Sequence, residues 1–435
     1  MPDVLSQSLR LPCGVVLKNR LAKAAMTEGL ADSMNRATER HVRAYGRWAQ
    51  GGAGLLLTGN VQVDRTHLER PGNIAIDGND GLDALRAMAK AGTCAGNHLW
   101  MQINHPGRQT PAGINPTPLA PSAVALTSAE TGSGNPVEMT EAQILDVIKR
   151  FAHVAVVARD CGFTGVQIHA AHGYLLSQFL SPLSNLRSDA WGGSLENRAR
   201  FLLETVRATR KAVGNDFPVS VKLNSADFQK GGFTEEESMQ VVHWLNTEEI
   251  DLLEISGGNY EQVNDMIGRN QNDAEGVVKK NAAESTRRRE AYFLEYAAKV
   301  RPLFKMPLMI TGGFRARPVM VETLQAGELD MIGIARPLCA MPDVCARLLR
   351  NEIQEAPAPE RVMTLDRKAL DAVMGAPVDD KMFRTMESWS QVAWACMQIL
   401  RMGDGKDPDL NLTLLEAFGA YDANEKAATA ALQRS

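Results

Sequence analysis

The sequence predicts an α/β fold: a (β/α)8 TIM barrel with an N-terminal hairpin and a C-terminal helical extension. Three observations lead to this prediction. Short apolar runs alternate with longer segments of helical period, the runs number eight, and 435 residues exceed the roughly 250 that such a barrel takes. The runs are residues 21–26, 54–59, 99–104, 165–170, 218–224, 251–257, 307–312 and 329–336. A doubly wound open sheet would alternate in the same way, and the count of eight favours the closed barrel.

Helix boundaries are marked between several of these runs. Thr140 with Gln143 forms a capping box, and Gly162 stands where a glycine commonly ends a helix. Thr234 with Glu237 repeats the box after the fifth run. Strands that are each followed by a helix pair in parallel, and their apolar character is expected where both faces of a sheet are covered.

Four stretches fall outside the repeat. Residues 9–11 and 15–17 predict a hairpin ahead of the first barrel strand. Residues 106–136 and 259–290 are long polar loops after strands three and six, and loops in these positions usually form walls over the active site of a barrel. We therefore predict a barrel domain over residues 1–355 and a helical extension over 356–435, which docks on the barrel or on a second subunit of a homo-oligomer.

Composition excludes several classes of protein. Lys and Arg total 47 against 51 Asp and Glu, and a formal net charge of −4 offers no footprint for nucleic acid or an anionic membrane. No apolar run approaches the roughly 18–20 residues that span a bilayer, and residues 1–10 do not resemble a signal peptide, so a cytoplasmic location is expected. The six cysteines are scattered without a CxxC pair, so we expect no metal site.

The end of the fourth strand concentrates polar side chains. Residues 167–174 read QIHAAHGY, which places two imidazoles and a phenol within six positions. These groups can donate hydrogen bonds to one small polar acceptor, and a phenol can donate a proton. Two alternatives remain open from these residues alone: histidines that satisfy backbone groups in a packed core, or a two-histidine metal site, although no acidic residue lies at ligand spacing.

The stretch that follows narrows the choice. Residues 175–200 read LLSQFLSPLSNLRSDAWGGSLENRAR, and together with the preceding HAAHGY they resemble the old yellow enzyme family of FMN-dependent ene-reductases. The resemblance runs from about Leu17 to Leu338. It implies an FMN cofactor, NADH or NADPH as hydride donor, and a small activated alkene as substrate. It also implies that His169 and His172 hold the activating oxygen of the substrate and that Tyr174 protonates its α-carbon.

The resemblance also suggests which residues contact the flavin ring. Thr27 would hydrogen-bond near the flavin O4, although a turn residue leaving the strand is the alternative. Gln102 is an amide in an apolar strand, and the pyrimidine edge of flavin offers such an amide both a donor and an acceptor. Lys222 would place a cation near N1 and O2, with a salt bridge to a barrel carboxylate as the alternative. The full set predicted at the ring is Ala25, Met26, Thr27, Gly59, Gln102 and Lys222.

The flavin phosphate is predicted at strands seven and eight, where barrels often bind phosphate. Gly312 and Gly313 let backbone N–H groups approach an anion, Ala335 offers another N–H, and Arg336 would pair with the phosphate. Asn104 stands at a position that faces substrate in the family.

Branches of the family differ at some of these positions, so the substrate preference of no single branch can be assigned to this chain. Glu28 and Gly29 replace bulkier residues of one branch. The chain also has no GxGxxG motif for a separate dinucleotide-binding domain. We therefore expect a ping-pong reductase of enones, enals or nitroalkenes that uses NAD(P)H. The alternatives are a flavin enzyme with another reaction (NADH oxidase, nitro-ester reductase or demethylating dehydrogenase) and a non-catalytic flavin- or phosphate-binding barrel.

Overall fold

A computed structural model describes residues 3–126, 132–257 and 294–434 of the chain. Eight parallel strands close into a barrel, as the sequence predicts. The strands in chain order are β1 (Leu9–Arg10), β2 (Val16–Leu17), β3 (Leu21–Lys23), β4 (Leu55–Gln62), β5 (His98–Asn104), β6 (Leu119–Ala120), β7 (Val137–Glu138), β8 (Val166–Ala170), β9 (Val219–Asn224), β10 (Leu252–Ser256), β11 (Leu308–Thr311) and β12 (Met331–Ile334).

The barrel order is β3-β4-β5-β8-β9-β10-β11-β12, and β12 returns to pair with β3. All eight predicted strands are present, but β3 ends at Lys23, whereas the sequence pattern extends it to Met26. Residues 24–26 are as apolar as the strand that precedes them, so composition alone does not separate them from it. The predicted hairpin is confirmed as the antiparallel pair β1–β2. A further pair, β6–β7, lies within the long loop after the third barrel strand.

Helices cover the outside of the barrel, and the last two of them, in the C-terminal extension, also reach its mouth. They are α1 (Glu39–Gln50), α2 (Leu82–Gly92), α3 (Glu141–Asp160), α4 (Leu175–Leu180), α5 (Leu195–Val213), α6 (Glu235–Leu245), α7 (Arg317–Gln325), α8 (Pro337–Ala340), α9 (Val344–Leu349), α10 (Arg367–Met374), α11 (Asp380–Gly403) and α12 (Leu414–Leu432). Both predicted capping boxes are confirmed: Thr140 caps α3 with Gln143, and Thr234 caps α6 with Glu237. Each box satisfies N–H groups that the first helical turn leaves without a partner.

Two apolar clusters hold these layers together. The larger one lies between the barrel strands and the surrounding helices. The smaller one fills the barrel at the amino ends of its strands, where Leu9, Leu11 and Leu17 of the hairpin pack with Trp100 of β5. Burial of each such side chain contributes roughly 1.5–3 kcal/mol. The hairpin therefore closes the bottom of the barrel and leaves the carboxyl ends of the strands as its open mouth.

The extension docks on the barrel of its own chain. Helix α11 packs against α1, where the Arg43 Nε donates to the Gly403 carbonyl oxygen at 2.6 Å and Arg40 pairs with Asp404 at 2.8 Å. The division of the chain into domains at residue 355 stays a prediction. The predicted loop at 259–290 lies outside the described residues. Within the described ranges, none of the helices combines the length and apolar character required to cross a membrane.

Candidate active site

The mouth of the barrel opens into a cavity of about 560 Å³. Ten of the residues predicted from the sequence line it: Ala25, Met26, Thr27, His172, Tyr174, Lys222, Gly312, Gly313, Ala335 and Arg336. The other four, which also belong to the described part of the chain, are buried and do not line the cavity: Gly59, Gln102, Asn104 and His169.

The two imidazoles and the phenol of the β8 end form one cluster. The ring of His169 meets the ring of His172 edge to face at 5.1 Å between centroids, and it meets the Tyr174 ring in the same way at 5.0 Å. A backbone turn makes this possible: His172 has a φ of 61° and Gly173 a φ of 76°. A left-handed conformation at a non-glycine residue is strained, and such strain is common at functional sites. The turn therefore brings three polar side chains of one strand end into contact, and two of them, His172 and Tyr174, line the cavity.

His169 is held as a neutral imidazole. Burial, reinforced by the nearby His172 and Lys222, lowers its pKa well below the usual value. Its Nδ1 accepts a hydrogen bond from the Ala171 N–H at 3.2 Å. In the neutral ring Nε2 therefore carries the proton, so that His169 can act as a hydrogen-bond donor without a positive charge.

His172 and Tyr174 also have defined partners. The His172 Nε2 lies 2.9 Å from the Ser256 Oγ, and its backbone N–H donates to the Asn224 Oδ1 at 3.2 Å. The Tyr174 hydroxyl oxygen accepts from the Asn60 Nδ2 at 3.3 Å, and its side chain is only 1% exposed. The two side chains therefore reach the cavity in fixed orientations.

A buried polar chain crosses the inside of the barrel below the cavity. The Gln102 Nε2 donates to the Gln167 Oε1 at 2.7 Å, and the Gln167 Nε2 donates to the Glu254 Oε2 at 2.8 Å. The other Glu254 carboxylate oxygen lies 2.9 Å from the Lys222 Nζ, since the two residues are register partners in β9 and β10. The salt bridge considered as an alternative for Lys222 is therefore present, and the lysine still lines the cavity.

Sequence reasoning missed Gln167 and Glu254. Gln167 has no obvious partner in the linear sequence, but the barrel register brings it between Gln102 and Glu254. The signal for Glu254 was a carboxylate within an apolar strand, since a buried lysine such as Lys222 is costly without a counter-charge.

The segment after β3 has structural partners of its own. The Thr27 hydroxyl donates to the Glu69 Oε2 at 3.1 Å. Glu28 is buried beside Gly59, whose N–H donates to the Glu28 Oε1 at 2.8 Å, and the Tyr45 hydroxyl also donates to that oxygen. A Cβ at position 59 would clash with the Glu28 carboxylate. Close approach of Glu28 is therefore sufficient to explain this glycine.

Asn104 lies away from the cavity. It is fully buried, and its Nδ2 donates to the Gln62 Oε1 at 3.3 Å. Its contact with substrate stays a prediction.

The carboxyl ends of β11 and β12 carry a concentration of cationic groups. Gly313 has a φ of 79°, which favours glycine, and Arg336 follows β12. Sequence reasoning missed Arg315, which is buried and pairs with Glu360 at 2.8 Å, while Arg336 lies 3.8 Å from the same carboxylate. Burial opposes ionisation of Glu360, but the two guanidinium groups outweigh it and lower the pKa of this carboxyl. The buried Thr311 Oγ1 beside them has no hydrogen-bond partner.

In the described part of the chain, one group of side chains has the spacing of metal ligands: Asp64, His67 and His105. Its hydrogen bonds argue against a bound cation. The His67 Nε2 accepts from the Leu119 N–H at 3.0 Å, so the proton sits on Nδ1, which faces Asp64 at 3.0 Å. The His105 Nδ1 accepts from the Gly107 N–H at 3.0 Å, so its Nε2 is protonated. Backbone donors therefore occupy both imidazole lone pairs that a metal would need.

The C-terminal extension lines the same cavity, which the sequence did not predict. Helix α11 presents Trp389, Val392 and Cys396 to it, and α12 presents Phe418 and Tyr421. The helical stripe through Trp389 and Cys396 was visible in the sequence as an apolar face. Its use as a wall of the site was not, because no polar residue in it suggested chemistry.

The end of β8 and the mouth of the closed barrel bring together two imidazoles, a phenol and a buried lysine, which is the set that the resemblance to flavin-dependent oxidoreductases implies. Comparison with known proteins gives the family. The chain belongs to the NADH:flavin oxidoreductase / NADH oxidase family, whose model matches residues 13–355. The resemblance to old yellow enzymes is thereby confirmed, and the protein is an NADH:flavin oxidoreductase of that family.

Individual relatives agree with this assignment. The chain is 36% identical over 356 residues to the NADH-dependent flavin oxidoreductase nadA of Aspergillus parasiticus. This alignment covers 78% of this chain and 77% of that protein. The fold is similar to that of a 2-naphthoyl-CoA reductase complex, with a TM-score of 0.75 and 24% identity over 93% of this chain and 58% of that one. It is also similar to an old yellow enzyme homologue from Zymomonas mobilis, with a TM-score of 0.67 and 24% identity over 84% of this chain and 97% of that one.

Proposed function

We propose that the protein is an FMN-dependent ene-reductase that uses NADH or NADPH to reduce activated C=C bonds in enones, enals and nitroalkenes. The observation that carries this proposal is the contact of His169 with both His172 and Tyr174 at one end of β8. A site that only bound a flavin would not need a proton donor beside two hydrogen-bond donors. A small activated alkene needs both kinds of group.

The residues at the mouth fit FMN. The cationic groups of Arg315 and Arg336, the positive φ of Gly313 and the unpartnered Thr311 hydroxyl match a phosphate. Lys222 would hold the pyrimidine edge, where negative charge develops on reduction. When bound, FMN would supply hydride transfer between the nicotinamide and the β-carbon of the alkene.

Side chains of the protein would bind the substrate oxygen and supply the proton. His169 donates from Nε2 while it stays neutral, so it can stabilise negative charge on the carbonyl or nitro oxygen without first losing a proton. His172 lies in ring contact with it and would share that oxygen. The Tyr174 hydroxyl donates a proton to the α-carbon and is held by Asn60.

Anaerobic stopped-flow kinetics test the proposal. The FMN-loaded protein is mixed with NADH or NADPH, and loss of flavin absorbance reports the first half-reaction. The reduced protein is then mixed with 2-cyclohexenone or a nitroalkene, and recovery of absorbance with formation of the saturated product reports the second. Reoxidation by oxygen alone, with no saturated product from any alkene, would favour an NADH oxidase and overturn the proposal.

Substitution of Tyr174 by Phe isolates the proton step. Tyr174→Phe is expected to slow alkene reduction by roughly 10²–10⁴-fold and to leave flavin reduction by NAD(P)H nearly intact. Tyr296→Phe is the matched control, because this buried phenol bonds to Ser238 away from the cavity. Equal losses in both half-reactions of Tyr174→Phe would contradict the proton-donor role.

A further inference from the structure

One face of α11 forms a continuous wall of the cavity. The residues on it recur at helical spacing, and Met382, Met386, Trp389, Val392, Cys396 and Ile399 all line the space that His172 and Tyr174 line. From Met382 to Ile399 the helix rises about 26 Å. This length is several times that of a single six-membered ring.

The α11 side of the cavity is mainly apolar, whereas the barrel side carries the charged groups. The partners predicted for the polar groups of FMN, among them Lys222 and Arg336, come from the barrel and not from the extension. Most residues of α11 that line the cavity carry thioether, indole, aliphatic or thiol groups, with Thr385 and Gln391 as polar exceptions, and α12 adds the rings of Phe418 and Tyr421. Surfaces of this kind bind flat apolar rings, because aromatic side chains bury large areas and favour stacked or edge contacts.

The wall is fixed in place. The buried Arg70 of the barrel rim pairs with Glu425 at 2.5 Å, lies 4.9 Å from the Tyr421 ring centroid, and donates to the Cys396 Sγ at 3.5 Å. The far end of α12 reaches the loop after the third barrel strand, where the Gln433 Nε2 donates to the Gly113 carbonyl oxygen at 3.5 Å. Contacts at its middle and at its C-terminal end hold α12 across the mouth of the barrel.

The wall also lies outside the residues that the family model matches. The family model ends at residue 355, whereas the wall begins in α11 at Asp380. Selection by this wall would therefore come from the extension and not from the barrel residues that the family model covers.

We infer that the extension makes the active site selective for flat aryl-conjugated or polycyclic enones, and that Trp389 and Phe418 determine this preference. The inference rests on the proposed alkene reduction and adds the substrate class. An aryl group conjugated to the enone would lie along the α11 face while the enone oxygen reaches His169 and His172.

The first test compares two enones that share a ketone and differ in size. The FMN-loaded protein is expected to reduce trans-chalcone with a kcat/KM at least tenfold higher than that for 2-cyclohexenone. Trp389→Ala and Phe418→Ala should each raise KM for chalcone about tenfold, change KM for cyclohexenone less than threefold, and leave kcat nearly unchanged. Trp389→Phe should restore most of the chalcone KM, which a role in folding alone would not explain.

Phe383→Ala is the matched control on the same helix. Phe383 stacks on the Arg367 guanidinium at 4.3 Å and does not line the cavity. Its loss should leave the ratio of the two KM values unchanged. Melting temperature and FMN content are measured for every variant. If Trp389→Ala weakens FMN binding but leaves the enone ratio intact, the wall covers only the cofactor and the inference is overturned.

A binding measurement separates this inference from the proposed function. Dihydrochalcone and cyclohexanone, the saturated products, are titrated calorimetrically into the oxidised FMN-loaded protein. If no enone is reduced but dihydrochalcone binds at least tenfold more tightly than cyclohexanone and Trp389→Ala abolishes the difference, the aromatic wall stands and the ene-reductase proposal fails. If enones are reduced but the two products bind equally, the proposed function stands and the selective wall is refuted.

Discussion

The rim of the barrel and the C-terminal extension line one cavity with opposite chemistry. The rim contributes His172, Tyr174 and Lys222, whose positions are set by strand register and by a strained turn. The extension contributes Trp389 and Phe418 from helices beyond the residues that the family model matches. Polar chemistry depends on exact angles, which strand ends supply, whereas an apolar wall needs only area and shape. This contrast implies that reaction type and substrate choice can be altered separately.

The largest effect is expected at the rim. His172→Ala removes one of the two donors that we propose for the substrate oxygen and should lower kcat for enone reduction by about 10²–10³-fold, as the loss of a donor to a developing oxyanion does. Flavin reduction by NADH should change little. Stopped-flow measurement of the two half-reactions checks this. His153→Ala on the exposed side of α3 is the control. A change confined to KM would mean that His172 binds the ground state and the transition state equally.

The rim was more predictable from the sequence than the wall for a physical reason. Eight apolar runs favoured the barrel over an open sheet and the family resemblance supported it, and the polar residues His172 and Tyr174 are conspicuous where such runs end. Trp389 and Phe418 have the spacing of any packed helix, so their direction depends on tertiary docking that no local pattern encodes.

Contacts inside the barrel are also beyond what a local sequence pattern can predict. No partner for Gln167 is evident in the linear sequence. The pairing register of the strands places its side chain between those of Gln102 and Glu254. A period-2 pattern gives the side of a strand on which a residue lies. It does not say which residue of the neighbouring strand lies opposite.

The junction between rim and extension should give the largest stability effect. Arg70→Met leaves the Glu425 carboxylate, 19% exposed, without its partner and should lower the free energy of unfolding by about 2–3 kcal/mol. Thermal melting and proteolysis within α12 measure it. The double variant Arg70→Met/Glu425→Met should regain part of the loss, because no charge is then left unpaired. Equal losses in the single and double variants would show that the packing of Arg70 matters and its charge does not.

A smaller effect is expected on the redox potential of the flavin, and it tests whether the buried polar chain that ends in Glu254 and Lys222 influences the cofactor. Glu254→Gln leaves the Lys222 cation uncompensated, so negative charge on the reduced cofactor is better stabilised. The midpoint potential of bound FMN should rise by about 30–60 mV, which corresponds to roughly 1.4–2.8 kcal/mol for a two-electron couple. Spectroelectrochemical titration measures the potential. Glu248→Gln, which breaks an ion pair with Arg207 outside the barrel, is the control and should leave the potential unchanged. A lower potential for Glu254→Gln would contradict this role of the pair.

The smallest effect is expected at Asp422 on the exposed side of α12. Asp422 pairs with Lys426 at 2.7 Å, but both side chains are largely exposed, and such i,i+4 pairs contribute about 0.3–0.5 kcal/mol. Asp422→Asn should therefore leave both the melting temperature and the ratio of chalcone to cyclohexenone KM close to those of the unsubstituted protein. The substitution lies one turn from Glu425 and removes the same kind of charge. A loss as large as that of Arg70→Met would mean that the charge of α12 as a whole holds the extension, whereas a negligible loss would assign that role to the buried contact with Arg70.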